Sequence, residues 1–301
     1  MQKTKKFLLL SLLGFCLTLA GCGASTQAKY DPQKALGPQI NYTITGIDAG
    51  AGVMGNTATA LEKYGLAQNN WQLQTSSTAA MTSVLDKAIK AKQPIVITGW
   101  VPHWMFTKYD LKFLKDPKKV YGAKEGIHTI ARTGLKQEKP GLYQFLQNFN
   151  WTPDQLAQIM LQINNGVEPT TAAKAYLKKH PEQVKAWLKN VPAGNNQTVT
   201  LAYVAWDSEI ASANVVAQAL KTKGYRVTLR PMDAQPMWTA IATGAADASF
   251  SAWLPTTHQA YARSFQGRYD DVRVNLEGAQ TGLAVPTYMT KVDSIEDLKT
   301  K

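Results

Sequence analysis

The chain has 301 residues, 45% of them hydrophobic, with 33 lysines and arginines against 21 acidic residues and a formal net charge of +12. Length and composition suit a soluble globular protein of one large or two medium domains. Two cysteines exclude a disulfide framework, and lysines scattered along helices rather than packed into arms argue against a nucleic-acid partner.

Lys3, Lys5 and Lys6 precede an apolar run from Phe7 to Ala20, too short to span a bilayer comfortably but right for a secretory signal. It ends in Leu19-Ala20-Gly21-Cys22, which resembles a bacterial lipobox. Residues 1–21 are expected to be a signal peptide, and Cys22 a lipidated residue that anchors the protein at the extracytoplasmic face of the cell membrane. Cys16 leaves with the signal, as do three lysines, so 30 basic residues face 21 acidic ones, or +9. A solvated basic surface close to anionic lipid and wall polymers accounts for that surplus. Residues 22–41 are polar and broken by Asp31-Pro32 and Gly37-Pro38, the pattern of a flexible tether.

A first α/β half is expected over residues 42–190. Tyr42 to Ile47 alternates like a strand, Asp48-Ala49-Gly50-Ala51-Gly52 makes a glycine turn, and a helix runs from Val53 to Tyr64 with Gly65 closing it. Such a joint presents unpaired N–H groups at a positive helix end, which suits an anion. Next come a strand at Trp71 to Thr75, a cap cluster at Ser76 to Thr78, a helix through Ile89, and a strand from Pro94 that runs into Gly99-Trp100-Val101-Pro102. Proline has no N–H for a ladder, so the strand must stop there, leaving Trp100 at its carboxyl end, where open α/β sheets place their ligands. One more strand is expected at Ile127 to Arg132. A helical segment follows, with a capping box and Pro at the first helical position in Thr152-Pro153-Asp154-Gln155.

After a linker at 191–197, the second half, 198–301, repeats the order. Thr198 to Ala205 is a strand ending in Trp206-Asp207-Ser208-Glu209. A helix then runs to Lys223 and stops at Gly224. Tyr225 to Leu229 is a strand, Met237 to Thr243 a short helix, and the strand from Ala246 delivers Ser251-Ala252-Trp253-Leu254-Pro255, with a last strand at Thr281 to Pro286. Asp207 and Glu209 are expected to cap the helix after Trp206, although a secreted enzyme using that carboxylate pair is an alternative. His103, His128, His180 and His258 lack metal-ligand spacing, and neither a phosphate loop nor a nucleophile elbow occurs, so no cofactor is expected.

Gly50-Ala51-Gly52-Val53-Met54, Ile97 to Phe106 with its Gly-Trp-Val-Pro-His-Trp, Ile127 to Arg132, Tyr203 to Glu209 and Ser251 to His258 together resemble the glycine betaine-binding lipoproteins of OpuA-type ABC importers. The resemblance covers essentially all of the chain from about Tyr42 onward, and its Trp motifs are specific to the quaternary-ammonium branch of the solute-binding proteins. It implies two facing lobes of the periplasmic-binding-protein-like (type II) fold, each a mainly parallel sheet flanked by helices, with the ligand in the cleft between them. The strands at 127–132 and 281–286 would cross between the lobes. It also implies a cage of Trp100, Trp206 and Trp253 around a trimethylammonium, with the ligand carboxylate on the N–H groups of Gly52 and Val53 and on His258. Relatives often have Ile where this chain has Val53, a change that a backbone donor hardly notices. A protonated His258 would make binding hold or tighten as pH falls toward ~6.5. Glycine betaine is the expected solute, with proline betaine, carnitine or choline as alternatives, delivered to the permease and ATPase subunits of an importer.

Overall fold

A computed structural model describes residues 27–299. The expected signal peptide and the expected lipidation site Cys22 lie outside the described residues. Among the described residues no helix is long and apolar enough to cross a membrane.

The chain forms β1 (Thr43–Thr45), β2 (Gln72–Gln74), β3 (Val96–Val101), β4 (Leu111–Phe113), β5 (Glu125–Arg132), β6 (Thr198–Tyr203), β7 (Arg226–Pro231), β8 (Ala248–Leu254) and β9 (Tyr269–Pro286). Their order is β2-β1-β3-β9-β5-β8-β6-β7, with β4 also on β9. The first set, β2-β1-β3, is parallel, as is β8-β6-β7 in the second. Between them run antiparallel pairings: β3 with the 280–284 end of β9, and β5 with both β8 and the 269–279 end of β9. One long strand therefore passes through both sheets, and neither sheet is built from one half of the sequence alone.

Local chemistry explains why the pieces form. β3 and β8 are apolar, buried runs, and each ends at the residue before a cis proline, Pro102 or Pro255. The helix Thr78–Ala91 starts on Ser77, whose hydroxyl accepts from Ala80 N–H. The helix Pro153–Asn164 carries the full capping box between Thr152 and Gln155. Asp247, at the foot of β8, accepts from Arg132 Nε, Lys139 Nζ and Thr200 N–H, which ties the end of β5 to β6 and β8. A buried carboxylate needs such a set of partners to be tolerated.

Residues 27–41, expected to be tether, are docked instead. Leu36 and Ile40 are buried, Tyr30 N–H bonds Lys92 O, and the Gln27 side chain donates to Gln39 O and Pro94 O. The polar composition concealed two apolar anchors and a short helix, Leu36–Gln39.

Candidate functional site

The three motif tryptophans reach one place by three routes. Trp100 and Trp253 are each the penultimate residue of a buried strand, β3 or β8, and Trp206 is the N-cap residue of the helix Asp207–Thr222. They line a single pocket of about 330 Å³ together with Gly52, Val53 and His258. Ile47, Ala51, Ser208, Thr257 and Thr281 complete the wall. The rings are almost wholly covered, at 5%, 8% and 4% exposure for Trp100, Trp206 and Trp253.

One end of the pocket carries donors. Gly52 and Val53 open the helix Gly52–Lys63, so their N–H groups precede the first intrahelical bonds and sit at the positive end of its dipole. His258 is fully buried. Its Nδ1 accepts the Trp253 N–H at 3.2 Å, which fixes the neutral tautomer with the proton on Nε2. That Nε2 has no hydrogen-bond partner among the described residues although it is buried and lines the pocket. An unpaired buried donor costs about 1–3 kcal/mol, so an acceptor placed in the pocket recovers that cost.

Burial pushes the His258 imidazole down to about 3. The expectation of a protonated His258 is therefore corrected: desolvation favours the uncharged ring, which can still donate one hydrogen bond. His258 occupies the N-cap position of the helix Gln259–Ser264, but its side chain makes no cap bond.

The turn that carries His258 is held by Glu125, a residue that no motif singles out. Its Oε2 accepts from the N–H groups of Thr256 and Thr257 at 3.0 Å each, and Thr257 Oγ1 donates to Oε1. The same turn presses on the glycine turn opposite. A Cβ on Gly52 would lie 2.0 Å from the Thr257 carbonyl oxygen, so only glycine permits this approach.

Asp207 and Glu209 lie in the first turn of their helix, but neither makes the expected cap bond. Asp207 Oδ2 accepts from Trp104 Nε1 at 2.5 Å and contacts His103 Nε2 at 3.1 Å. Burial opposes its ionisation, but the donors of His103 and Trp104 outweigh burial and hold the carboxyl below its usual range. Glu209 is buried and receives Val204 N–H at 2.6 Å, and burial raises its carboxyl well above the usual range in spite of the Val204 and Ser251 donors. Glycosidase chemistry would need these two groups to face a substrate, but Glu209 is buried and Asp207 is bonded to His103 and Trp104. Among the described residues no group of three or more His, Cys, Asp or Glu side chains could hold a metal ion.

Comparison with known proteins identifies the family. The family profile for the substrate-binding domain of ABC-type glycine betaine transport systems matches residues 27–191 and 197–301. The glycine betaine/carnitine transport binding protein of Listeria monocytogenes is 56% identical over 297 residues, covering 98% of this chain and 99% of that one. Among solved structures, the lactococcal OpuAC in its closed form with glycine betaine is 46% identical, with a TM-score of 0.49, over 55% of this chain and 63% of that one. A glycine betaine/L-proline-binding protein from Borrelia burgdorferi is 33% identical, with a TM-score of 0.48, over 54% and 62%. The chain has the expected α/β architecture of two helix-flanked sheets, and its relatives by sequence are solute-binding proteins rather than enzymes. The enzyme alternative is thereby set aside.

Proposed function

Because this chain belongs to the family of substrate-binding domains of ABC-type glycine betaine transport systems, we propose that its pocket takes glycine betaine as an osmoprotectant and hands it to the membrane permease and ATPase of an importer. The observation that carries this reading is the pairing, in one small pocket, of three indole rings with the unpaired, uncharged Nε2–H of His258. A trimethylammonium cannot donate a conventional hydrogen bond. Aromatic faces suit it because they combine apolar contact with a negative quadrupole, for about 0.5–2 kcal/mol per favourable ring. The carboxylate at the other end of the molecule would accept from His258 Nε2 and from the N–H groups of Gly52 and Val53.

Carnitine is the second reading. The Listeria relative is named for it as well, and a wider cleft shares Trp206 and Ala51 with the pocket. Proline betaine and choline complete the panel to test. The full reading also places the protein on the outer face of the cell membrane through an acyl chain on Cys22. Cys22→Ala should abolish incorporation of labelled fatty acid, and label persisting on the variant would sink that part.

Calorimetry with glycine betaine and choline tests the pocket itself. Choline keeps the cation but replaces the carboxylate with a hydroxyl, so it loses hydrogen bonds worth about 1.5–3 kcal/mol each and should bind at least roughly tenfold more weakly. His258→Ala should weaken betaine more than choline. An equal loss for both solutes would remove His258 from the anionic end.

A further inference from the structure

Two carboxylates outside the cage cross the cleft in opposite senses. Asp48 lies in the turn after β1, on the first lobe, and its Oδ2 accepts Trp206 Nε1–H from the second lobe at 3.2 Å. One residue along, Asp207 of the second lobe accepts the Trp104 Nε1–H of the first lobe at 2.5 Å. Asp207 also holds His103, whose Nδ1 accepts Met105 N–H, so the Nε2 proton points at the carboxylate. The His103 ring stands edge-on to Trp100 at 4.6 Å between centroids. Asp207 is thus joined through His103 to one cage ring and through the backbone to another, while neither Asp207 nor His103 lines the pocket.

We propose that Asp207, with Asp48 as its counterpart, is a positioning residue that latches the closed form and sets how long the solute stays. Both bonds join groups on opposite lobes, so both are absent when the lobes part and each carboxylate returns to water. The hydrogen-bond free energy is consequently spent on closure and on nothing in the open protein. Because the donors are an indole and a neutral imidazole meeting a carboxylate, each bond is charge-assisted and favours one lobe orientation. Asp207 touches no solute, so the latch should slow release of every ligand by the same factor. Trp206 differs: it is cage wall and latch donor at once, and Asp48 fixes the ring's rotation.

This inference rests on the pocket's being the solute site, and the test separates the two. Release of glycine betaine and of choline is followed by stopped-flow tryptophan fluorescence on wild type, Asp207→Asn and Asp207→Ala in the full chain. Asp207→Ala should speed release of both solutes by the same factor, roughly tenfold or more, the change that losing one hydrogen bond to a charged group produces. Asp207→Asn, which keeps one acceptor oxygen, should fall between, and the ligand-free melting temperature should not move. Closure is read independently from the distance between spin labels at Val84→Cys and Val167→Cys, exposed positions on the two sides of the cleft. In Asp207→Ala the closed-distance population should fall. Unchanged release and unchanged distances, a loss confined to one solute, or a drop in ligand-free melting temperature would each overturn the latch. A wild type that binds neither solute overturns the pocket reading instead, and the label distances then still decide the latch.

Discussion

His258 shows how a residue legible in the sequence can do its work in a different state from the one expected. The motif singled it out, and the charge followed from its reference value; burial reverses that charge. With the folded ring near 3 and an unfolded one near ~6.5, folding excludes a proton in that interval. The folded ring therefore stays neutral across the working range, so affinity for betaine should hold from pH 8 to 5. By the same linkage, folded stability from this group is present above ~6.5 and is lost at up to about 1.4 kcal/mol per unit as pH drops toward 3. Calorimetry across pH decides the first point: affinity rising on acidification would mean a charged His258. Glu209 has the opposite sign. Its folded carboxyl stays protonated where an unfolded one ionises, so it costs stability as pH rises above about 4.5. Glu209→Gln should raise the melting temperature at pH 8 relative to wild type and not at pH 4; an equal shift at both would show that the group is charged in the fold. For the cage, Trp100→Ala, Trp206→Ala and Trp253→Ala should each cost about 1–3 kcal/mol of binding, with a smaller effect on the ligand-free fold than the roughly 3–5 kcal/mol of a core Trp. Collapse of the ligand-free melting temperature with unchanged binding would make them core.

At the scale of elements, strands that end in Trp-aliphatic-Pro were legible because two independent signals agree there, a buried apolar run and a residue that cannot extend a ladder. β3 and β8 accordingly run to Val101 and Leu254, each the residue before its proline. β9 was not legible over most of its length. Tyr269 to Gln280 contains Asp270, Asp271, Asn275 and Gly278, which read as turn residues, and only pairing with β5 makes them a strand. The register shifts along that pairing, and Gly278 has φ +81°, so the pattern lacks a clean period of two. The helix Gly52–Lys63 is legible from the glycine turn and the apolar spacing after it, but the reason for glycine at position 52 lies across the cleft. Gly52→Ala places a methyl group against the Thr257 carbonyl, and no side-chain rotation relieves a clash with backbone. Because the contact joins the two lobes at the pocket, betaine affinity should fall by about tenfold or more, with a smaller effect on the ligand-free melting temperature. Normal betaine affinity in Gly52→Ala would show that the two turns do not meet this closely in the bound form.

The whole molecule is two sheets joined by β5 and β9, and its binding pocket belongs to neither lobe alone. Trp100, Gly52 and Val53 come with the β1–β3 side, and Trp206, Trp253 and His258 with the β6–β8 side. The internal repeat made this symmetry visible in sequence; the cross-cleft partners of Asp48 and Asp207 were not, since these carboxylates meet their indole donors only through tertiary structure. A ligand held between two lobes should stabilise both together. At a solute concentration one hundred times its dissociation constant, mass action adds about 2.7 kcal/mol to the folded state. For a chain of this size that is a rise in melting temperature of roughly 5–10 °C. Differential scanning calorimetry should then show a single transition moving upward as one peak with betaine, because β9 threads both sheets and neither can unfold without releasing the other's edge. Two transitions, only one of which moves, would place the solute within a single lobe and leave the cleft without its ligand.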